Sequence, residues 1–346
     1  MESASQVILR NGDRLGRESL LIINPLRDLL AQRLAREGRP LRLSTQDYGD
    51  AAWLKAAGFD VSFETVPTFS GEESTAVLHL PREKDRLSLL LHAVSARMDP
   101  AARLWLVGEN RAGIRSSARY LDAHFGSFEV IDKARHCALY EAREPRLQRP
   151  FELADYLTAW SLRMDGEDLK LLSLPGVFAH GRLDRGSELL LNSLRQLRPA
   201  GRLLDFACGC GVLGLALLRE NEKIDLTLLD SSALAIESCR RSMDANGLRA
   251  SMLPSDGLAG VSERYDWIVS NPPFHRGVRS DLGVAADFFR EAGTFLTENG
   301  KIVIVFNRHL PYLRWLQHAF DRVDLLTTGG DFTIVQAGRP NRHRGQ

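Results

Sequence analysis

At 346 residues, with 44% hydrophobic and 26% charged residues, the chain has an ordinary globular composition and is long enough for two domains. Its net charge of +1 excludes a generalised polyanion-binding field, so any RNA contact has to come from local basic patches. The four cysteines (Cys137, Cys208, Cys210 and Cys239) make neither a zinc spacing nor a disulfide framework, Met1–Arg10 has no signal pattern, and no run of about 18 apolar residues occurs; the expectation is a cytoplasmic protein with no membrane segment and no metal.

In chain order, Leu20–Ile23 reads as a short buried strand and Leu26–Arg36 as a helix with apolar positions at Leu26, Leu29, Leu30 and Leu34. Leu41–Ser44 is predicted as a strand, Asp50–Ala57 as a helix ending at Gly58, and Ala76–Leu80 as a strand stopped by Pro81. Leu87–Arg97 is a predicted helix, Leu104–Val107 a strand, and Ile114–Phe125 a helix. Phe128–Ile131 and Cys137–Tyr140 close the first half as strands. Ala142–Pro150, with two prolines, three arginines and no apolar period, reads as a linker. Beyond it come a predicted helix over Tyr156–Leu162, a strand over Leu169–Ser173, a glycine-rich stretch over Val177–Ser187 and a helix over Ser187–Leu197. Alternating strands and helices predict parallel-rich α/β sheets.

The densest signals lie between Leu203 and Phe274. An apolar strand, Leu203–Phe206, breaks into Ala207-Cys208-Gly209-Cys210-Gly211 and opens a helix. Glycines there let a ligand approach the backbone, and the N–H groups at the helix start face it. Leu226–Leu229 is a second strand. Asp230 follows it, about 25 residues after Asp205, where a carboxylate suits ribose hydroxyls. Ala233–Asn246 is a helix capped by Gly247. A third strand, Trp267–Val269, delivers Asn271-Pro272-Pro273-Phe274 at its carboxyl end, where ligands bind in open α/β sheets. The two prolines fix two φ angles and remove two donors, leaving the Asn271 carboxamide and a backbone carbonyl held outward beside an aromatic ring.

Here the chain resembles a known family. Asp205–Gly211 looks like the S-adenosylmethionine loop of class I methyltransferases, and Asn271–Phe274 like the catalytic tetrapeptide of their amino-directed members. Leu174–Phe178 with Leu183–Leu191 resembles the segment ahead of the cofactor loop in bacterial ribosomal RNA guanine-N2 methyltransferases of the RsmC type, as does Val107–Arg111 in the first half. One departure is Ala207, where many class I enzymes carry the first loop glycine; its methyl group is tolerable if φ is negative.

The resemblance implies an S-adenosylmethionine-dependent enzyme acting on guanine in small-subunit ribosomal RNA. Its catalytic residues would be Asn271, Pro272, Pro273 and Phe274. The cofactor would be held by Asp205, Ala207, Cys208, Gly209, Gly211, Asp230, Ser231, Asp256, Gly257 and Asn271, with Phe178, Gly181 and Asp184 as lid contacts. His275, Arg276 and Arg279 are candidate RNA contacts. Strand and helix order repeats between the halves: Leu20–Ile23 corresponds to Leu203–Phe206, Leu41–Ser44 to Leu226–Asp230, Ala76–Pro81 to Asp266–Pro272, and Asn110-Arg111 echoes Asn307-Arg308. The expected fold is therefore two tandem methyltransferase-like Rossmann-like domains. Residues 1–143 would be a degenerate copy, 144–166 a linker region and 167–346 the catalytic domain. The first copy has Ile23-Asn24-Pro25 in place of the glycine loop and Leu80-Pro81-Arg82 in place of Asn-Pro-Pro-Phe, so it is expected to bind no cofactor and to serve as scaffold or RNA grip. Two fused copies suit a monomer. Rival readings are the same chemistry on a large-subunit guanine, an adenine amine or a protein glutamine amide; a catalytically idle RNA-binding assembly factor; and a nicotinamide oxidoreductase.

Overall fold

A computed structural model describes residues 1–146, 149–272 and 279–340. The chain divides into two compact units, Met1–Leu157 and Thr158–Gln346.

The first unit runs α1 (Ser3–Arg10), β1 (Ser19–Ile23), α2 (Leu30–Arg36), β2 (Leu41–Thr45), α3 (Tyr48–Ala56), β3 (Val61–Phe63), β4 (Glu73–His79), α4 (Lys84–Arg97), β5 (Arg103–Glu109), α5 (Ala118–His124), β6 (Phe125–Ala134) and β7 (Cys137–Pro145). Among the described residues its strands form a seven-stranded sheet ordered β3-β2-β1-β4-β5-β7-β6. The second unit opens with a hairpin, β8 (Thr158–Leu162) and β9 (Leu169–Ser173). It continues α6 (Arg185–Leu197), β10 (Gly201–Phe206), α7 (Val212–Glu220), β11 (Ile224–Asp230), α8 (Ala233–Asn246), β12 (Ser251–Pro254), β13 (Tyr265–Ser270), α9 (Arg279–Ala292), β14 (Leu296–Asn307), α10 (Tyr312–Ala319), β15 (Phe320–Gly329) and β16 (Phe332–Pro340). Its main sheet is ordered β12-β11-β10-β13-β14-β16-β15, the same path through a second set of strands.

In both sheets the first five strands in that order are parallel, the sixth is antiparallel to both its neighbours, and the edge strand therefore runs with the first five. Helices cover both faces, so the central strands are apolar on both sides: Leu20–Ile23 and Leu203–Phe206 are each buried throughout. Two apolar clusters flank the second sheet, one around Leu203, Leu226 and Val303 and the other around Leu204, Ile268 and Phe289. The repeated order bears out two tandem copies of one doubly wound fold.

The copies correct one alignment. Glu109 pairs with Cys137 and the Asn110 N–H bonds His136 O; Asn307 pairs with Phe332 and the Arg308 N–H bonds Asp331 O. Asn110 therefore occupies the place of Arg308, and the echo of Asn110-Arg111 in Asn307-Arg308 is off by one residue. Other boundaries moved because side chains cap helices. The Asp28 carboxylate accepts from the Leu30 N–H, so α2 begins at Leu30 and not at Leu26. Asp47 accepts from the Asp50 N–H and starts α3 at Tyr48. Tyr156–Leu162 is not a helix. Trp160 and Leu162 pack inward while Thr158, Ala159 and Ser161 are exposed, which is a strand period, and Trp160 pairs with Leu171. Strand pairing also enters the expected linker from both sides: β7 holds Ala142 and Pro145 against its neighbours, and β8 starts at Thr158. Helix α1 and strand β3 had no counterpart in the sequence reading. Among the described residues no helix is long and apolar enough to cross a membrane.

Candidate functional site

The site lies at the carboxyl edge of the second sheet, around the exit of β10. Asp205 is 1% exposed; its Oδ2 accepts the Gly214 N–H at 2.8 Å, and its Oδ1 has no hydrogen-bond partner among the described residues. Gly214 is needed there, because a Cβ would come within 2.8 Å of Leu226 Cδ1 and 3.0 Å of Asp205 Oδ2. Burial, joined by the nearby Asp230 charge, raises the Asp205 pKa to about 7, against the opposing Gly214 N–H. Asp205 thus braces the loop from below and does not face the cavity.

The next residue but one corrects an expectation. Ala207 has φ +57°, in the left-handed region, so its methyl group sits in a strained backbone instead of the negative φ that would have made it harmless. Gly209 (φ +58°) and Gly211 (φ +83°) continue the turn, and α7 begins immediately after. The Gly209 N–H donates to Asp230 Oδ2 at 3.0 Å, while Asp230 Oδ1 accepts from the Ser232 N–H at 2.9 Å. Cys208 and Cys239 hold their sulfur atoms 3.6 Å apart behind the loop. Burial pushes the Cys208 thiol well above its ordinary pKa and Cys210 up to about 12, so both are packing groups and poor nucleophiles.

Asn271 follows β13, whose Ser270 hydroxyl donates to Phe206 O at 2.7 Å and ties the two strand ends together. The Asn271 Nδ2 donates to Asp184 Oδ2 at 3.1 Å and to Ser187 Oγ at 3.0 Å. A carboxylate only accepts, so the amide nitrogen has to face Asp184, and the carbonyl oxygen is the half of the carboxamide left to accept from another molecule. Asp184 itself is fixed as the cap of α6: the same Oδ2 accepts the Gly186 and Ser187 N–H groups at 2.9 and 3.2 Å. Gly186 allows this, since a Cβ there would lie 3.0 Å from Asp184 Oδ2 and 3.1 Å from the Phe332 ring.

One cavity draws these pieces together. Of the predicted site residues, Phe178, Asp184, Ala207, Cys208, Gly209 and Asn271 line it. Phe178 is 54% exposed, a large aromatic left at the mouth. Gly181 stands behind it, with its N–H on Ser173 Oγ at 3.0 Å. Gly211, Asp230, Ser231, Asp256 and Gly257 do not line this cavity. They follow along the same sheet edge, with Asp256 exposed beyond β12. Pro272 is buried; Pro273, Phe274, His275 and Arg276 fall outside the described residues, and Arg279 is placed only as the start of α9. The lining residues absent from the prediction include Trp160, hidden by the mistaken helix, Arg182, and Ser187. For Ser187 a signal existed, since it stands three residues after the Asp184 cap. Among the described residues no three His, Cys, Asp or Glu side chains gather as a metal site.

The same edge of the first unit is built differently. Strand register places Asn24 at Ala207 and His79 at Asn271. Asn24, like Ala207, is left-handed, with φ +51°. Its side chain exchanges hydrogen bonds with Gln46, whose Oε1 also accepts from Arg86 Nε at 2.6 Å. His79 is buried, and neither ring nitrogen has a hydrogen-bond partner among the described residues.

Two family models match the chain. The family model "Methyltransferase small domain N-terminal" matches residues 5–160, and "Methyltransferase small domain" matches residues 168–336. Relatives called ribosomal RNA small subunit methyltransferase C align over nearly the whole chain. That of Pseudomonas aeruginosa (strain LESB58) is 38% identical, covering 98% of this chain and 100% of its own. That of Hahella chejuensis is 34% identical over 98% and 99%. A solved T. Thermophilus 16S rRNA N2 methyltransferase, in complex with AdoMet and guanosine, superposes with a TM-score of 0.86 at 24% identity, covering 98% of this chain and 92% of that one.

Proposed function

This chain belongs to the ribosomal RNA small subunit methyltransferase C family, and we propose that it methylates the exocyclic N2 amine of a guanine in 16S ribosomal RNA with S-adenosylmethionine as donor. The observation that carries this reading is the Asn271 carboxamide, whose nitrogen is committed to Asp184 and Ser187 and whose oxygen is left to accept from another molecule beside the glycine turn.

The residues suit that cofactor. The left-handed turn at Gly209 and Gly211 opens the backbone beside the start of α7, Asp230 stands at the β11 end for ribose hydroxyls, and Trp160, whose indole N–H has no partner among the described residues, lines the cavity. When bound, the cofactor supplies a methyl group made electrophilic by its sulfonium. The protein supplies alignment and electrostatics. A guanine amine is a weak nucleophile because its lone pair is delocalised into the ring. Asn271 Oδ1 and the Pro272 carbonyl accept its two N–H bonds, favour a pyramidal nitrogen and stabilise the positive charge that develops. The proton is acidic once the N–C bond has formed and leaves to water, so no strong base is required. Phe274 is the proposed stacking partner of a base taken out of its helix, with His275, Arg276 and Arg279 on neighbouring RNA and Asp256 with Gly257 at the adenine.

The first unit, residues 1–143 in this reading, acts as scaffold or RNA grip without cofactor. That is supported by Asn24, Gln46 and Arg86, which bond one another across the edge that the glycine turn opens in the second unit. The proposed setting is the cytoplasm, with the small ribosomal subunit as partner and the enzyme a monomer that uses no metal. The deciding experiment is methylation, with labelled cofactor, of small subunits from a strain lacking the protein. Label should enter 16S RNA at one guanine N2; label on another base, or none, sinks the proposal.

A further inference from the structure

We infer that Trp160 and Arg182 form a carboxylate subsite that holds the amino-acid end of the cofactor. This rests on the cofactor reading above and adds which end of the molecule the cavity takes and which residues take it.

Trp160 lines the cavity beside the glycine turn, and its Nε1 is shielded from solvent with no hydrogen-bond partner among the described residues. An indole N–H can only donate, and leaving it buried and unpaired costs about 1–3 kcal/mol. The chain's other fully shielded indole is treated otherwise: Trp105 Nε1 donates to Glu141 Oε2 at 2.9 Å. Trp160 has little freedom to find a partner by swinging away, because β8 pairs it with Leu171 and its ring packs on the apolar cluster around Leu171 and Leu203.

Arg182 is the one cation among the described lining residues. Its guanidinium has no ion-pair or hydrogen-bond partner among the described residues. Many other arginines of this unit do have one: Arg195 pairs with Glu220, Arg219 with Glu167, and Arg240 with Glu237. The same wall carries Asp184, whose Oδ2 is occupied three times over while Oδ1 has no partner among the described residues. The lining thus offers a cation, a neutral donor and a carboxylate, the complement of an amino-acid zwitterion. Position agrees. Asp230, the ribose partner, does not line this cavity and Asn271 does, so the cavity accommodates what lies beyond the ribose.

The test is titration calorimetry on the full chain with two ligands: S-adenosylhomocysteine and its decarboxylated analogue, S-adenosyl-3-thiopropylamine. The native protein should prefer the first by about tenfold or more, as a charge-assisted bond to a carboxylate would give. Arg182→Gln should abolish most of that preference and Trp160→Phe part of it, with affinity for the analogue held within about twofold. Equal affinities in the native protein, or a preference untouched in both variants, overturn the subsite. If Trp160→Phe fails to fold, Arg182→Gln, at an exposed side chain, decides alone. A native protein that binds neither ligand refutes the cofactor reading itself. Variants that lose affinity for small-subunit RNA in filter binding while keeping the ligand preference assign the pair to an RNA phosphate, which also overturns the inference.

Discussion

The role proposed for Asn271 rests on its two ends being held apart. The nitrogen is committed to Asp184 and Ser187, so in the proposed reaction the oxygen would accept from the amine without reorienting. Asn271→Ala should bind S-adenosylhomocysteine as the native protein does and lose methyl transfer by well over about tenfold, roughly 1.4 kcal/mol of barrier; turnover within that factor would remove the residue from the mechanism. The two groups behind it are separable. Asp184→Ala gives up the α6 cap as well as the carboxamide, so it should cost about 1 kcal/mol of stability in addition to turnover. Ser187→Ala leaves the Asp184 cap in place, so it should lower kcat at unchanged melting temperature, with KM for RNA little moved. Asp184 and Asn271 were both singled out in the sequence, and both line the cavity. Their pairing was not legible there, because no local pattern links residues 87 positions apart.

At the level of elements, the strand exits decide the chemistry. Ala207 at φ +57° is a position where an L side chain is strained by roughly 1 kcal/mol or more. Ala207→Gly should raise the unfolding free energy by about 1 kcal/mol in denaturant titrations, and no gain would mean that the loop relaxes around the methyl group. The buried strands were readable because apolar runs such as Leu20–Ile23, and Leu203–Phe206 broken only by Asp205, are what a sheet covered on both faces requires. Helix starts were less so. Asp28 and Asp47 set them through capping bonds, and an apolar period alone does not reveal which carboxylate caps. Trp160 was lost for a related reason: Tyr156 and Trp160 stand four residues apart, a helical spacing, while the face that packs inward is Trp160 with Leu162, two apart.

Across the whole molecule the two units should answer acid in opposite directions. Burial, only partly opposed by the nearby Asp28 charge, lowers the His79 pKa to about 4. The unfolded chain takes up that proton near pH 6.5 and the folded one does not, so this group weakens the first unit as pH falls from 6.5 toward 4, by up to about 3 kcal/mol. Asp205 in the second unit has a raised pKa. Its unfolded form ionises above 3.8 while the folded form stays protonated to about 7, so it weakens the fold as pH rises through that window, by up to about 4 kcal/mol. Unfolding measured against pH should show His79→Leu gaining on the native protein as pH falls, and Asp205→Asn gaining as it rises. A constant difference in either series refutes the corresponding burial argument. The duplication itself was legible from the order of strands and helices. The one-residue slip at Asn110 was not, because Asn-Arg pairs match by identity while hydrogen-bond register follows the backbone.

The left-handed residue at the first strand exit occurs in both units, as Asn24 and as Ala207, and in neither is it a glycine. A bend present also in the half that has no glycine turn goes with the strand exit that both units share. What distinguishes the units is the step after it, Pro25 in one and the turn through Gly209 and Gly211 in the other.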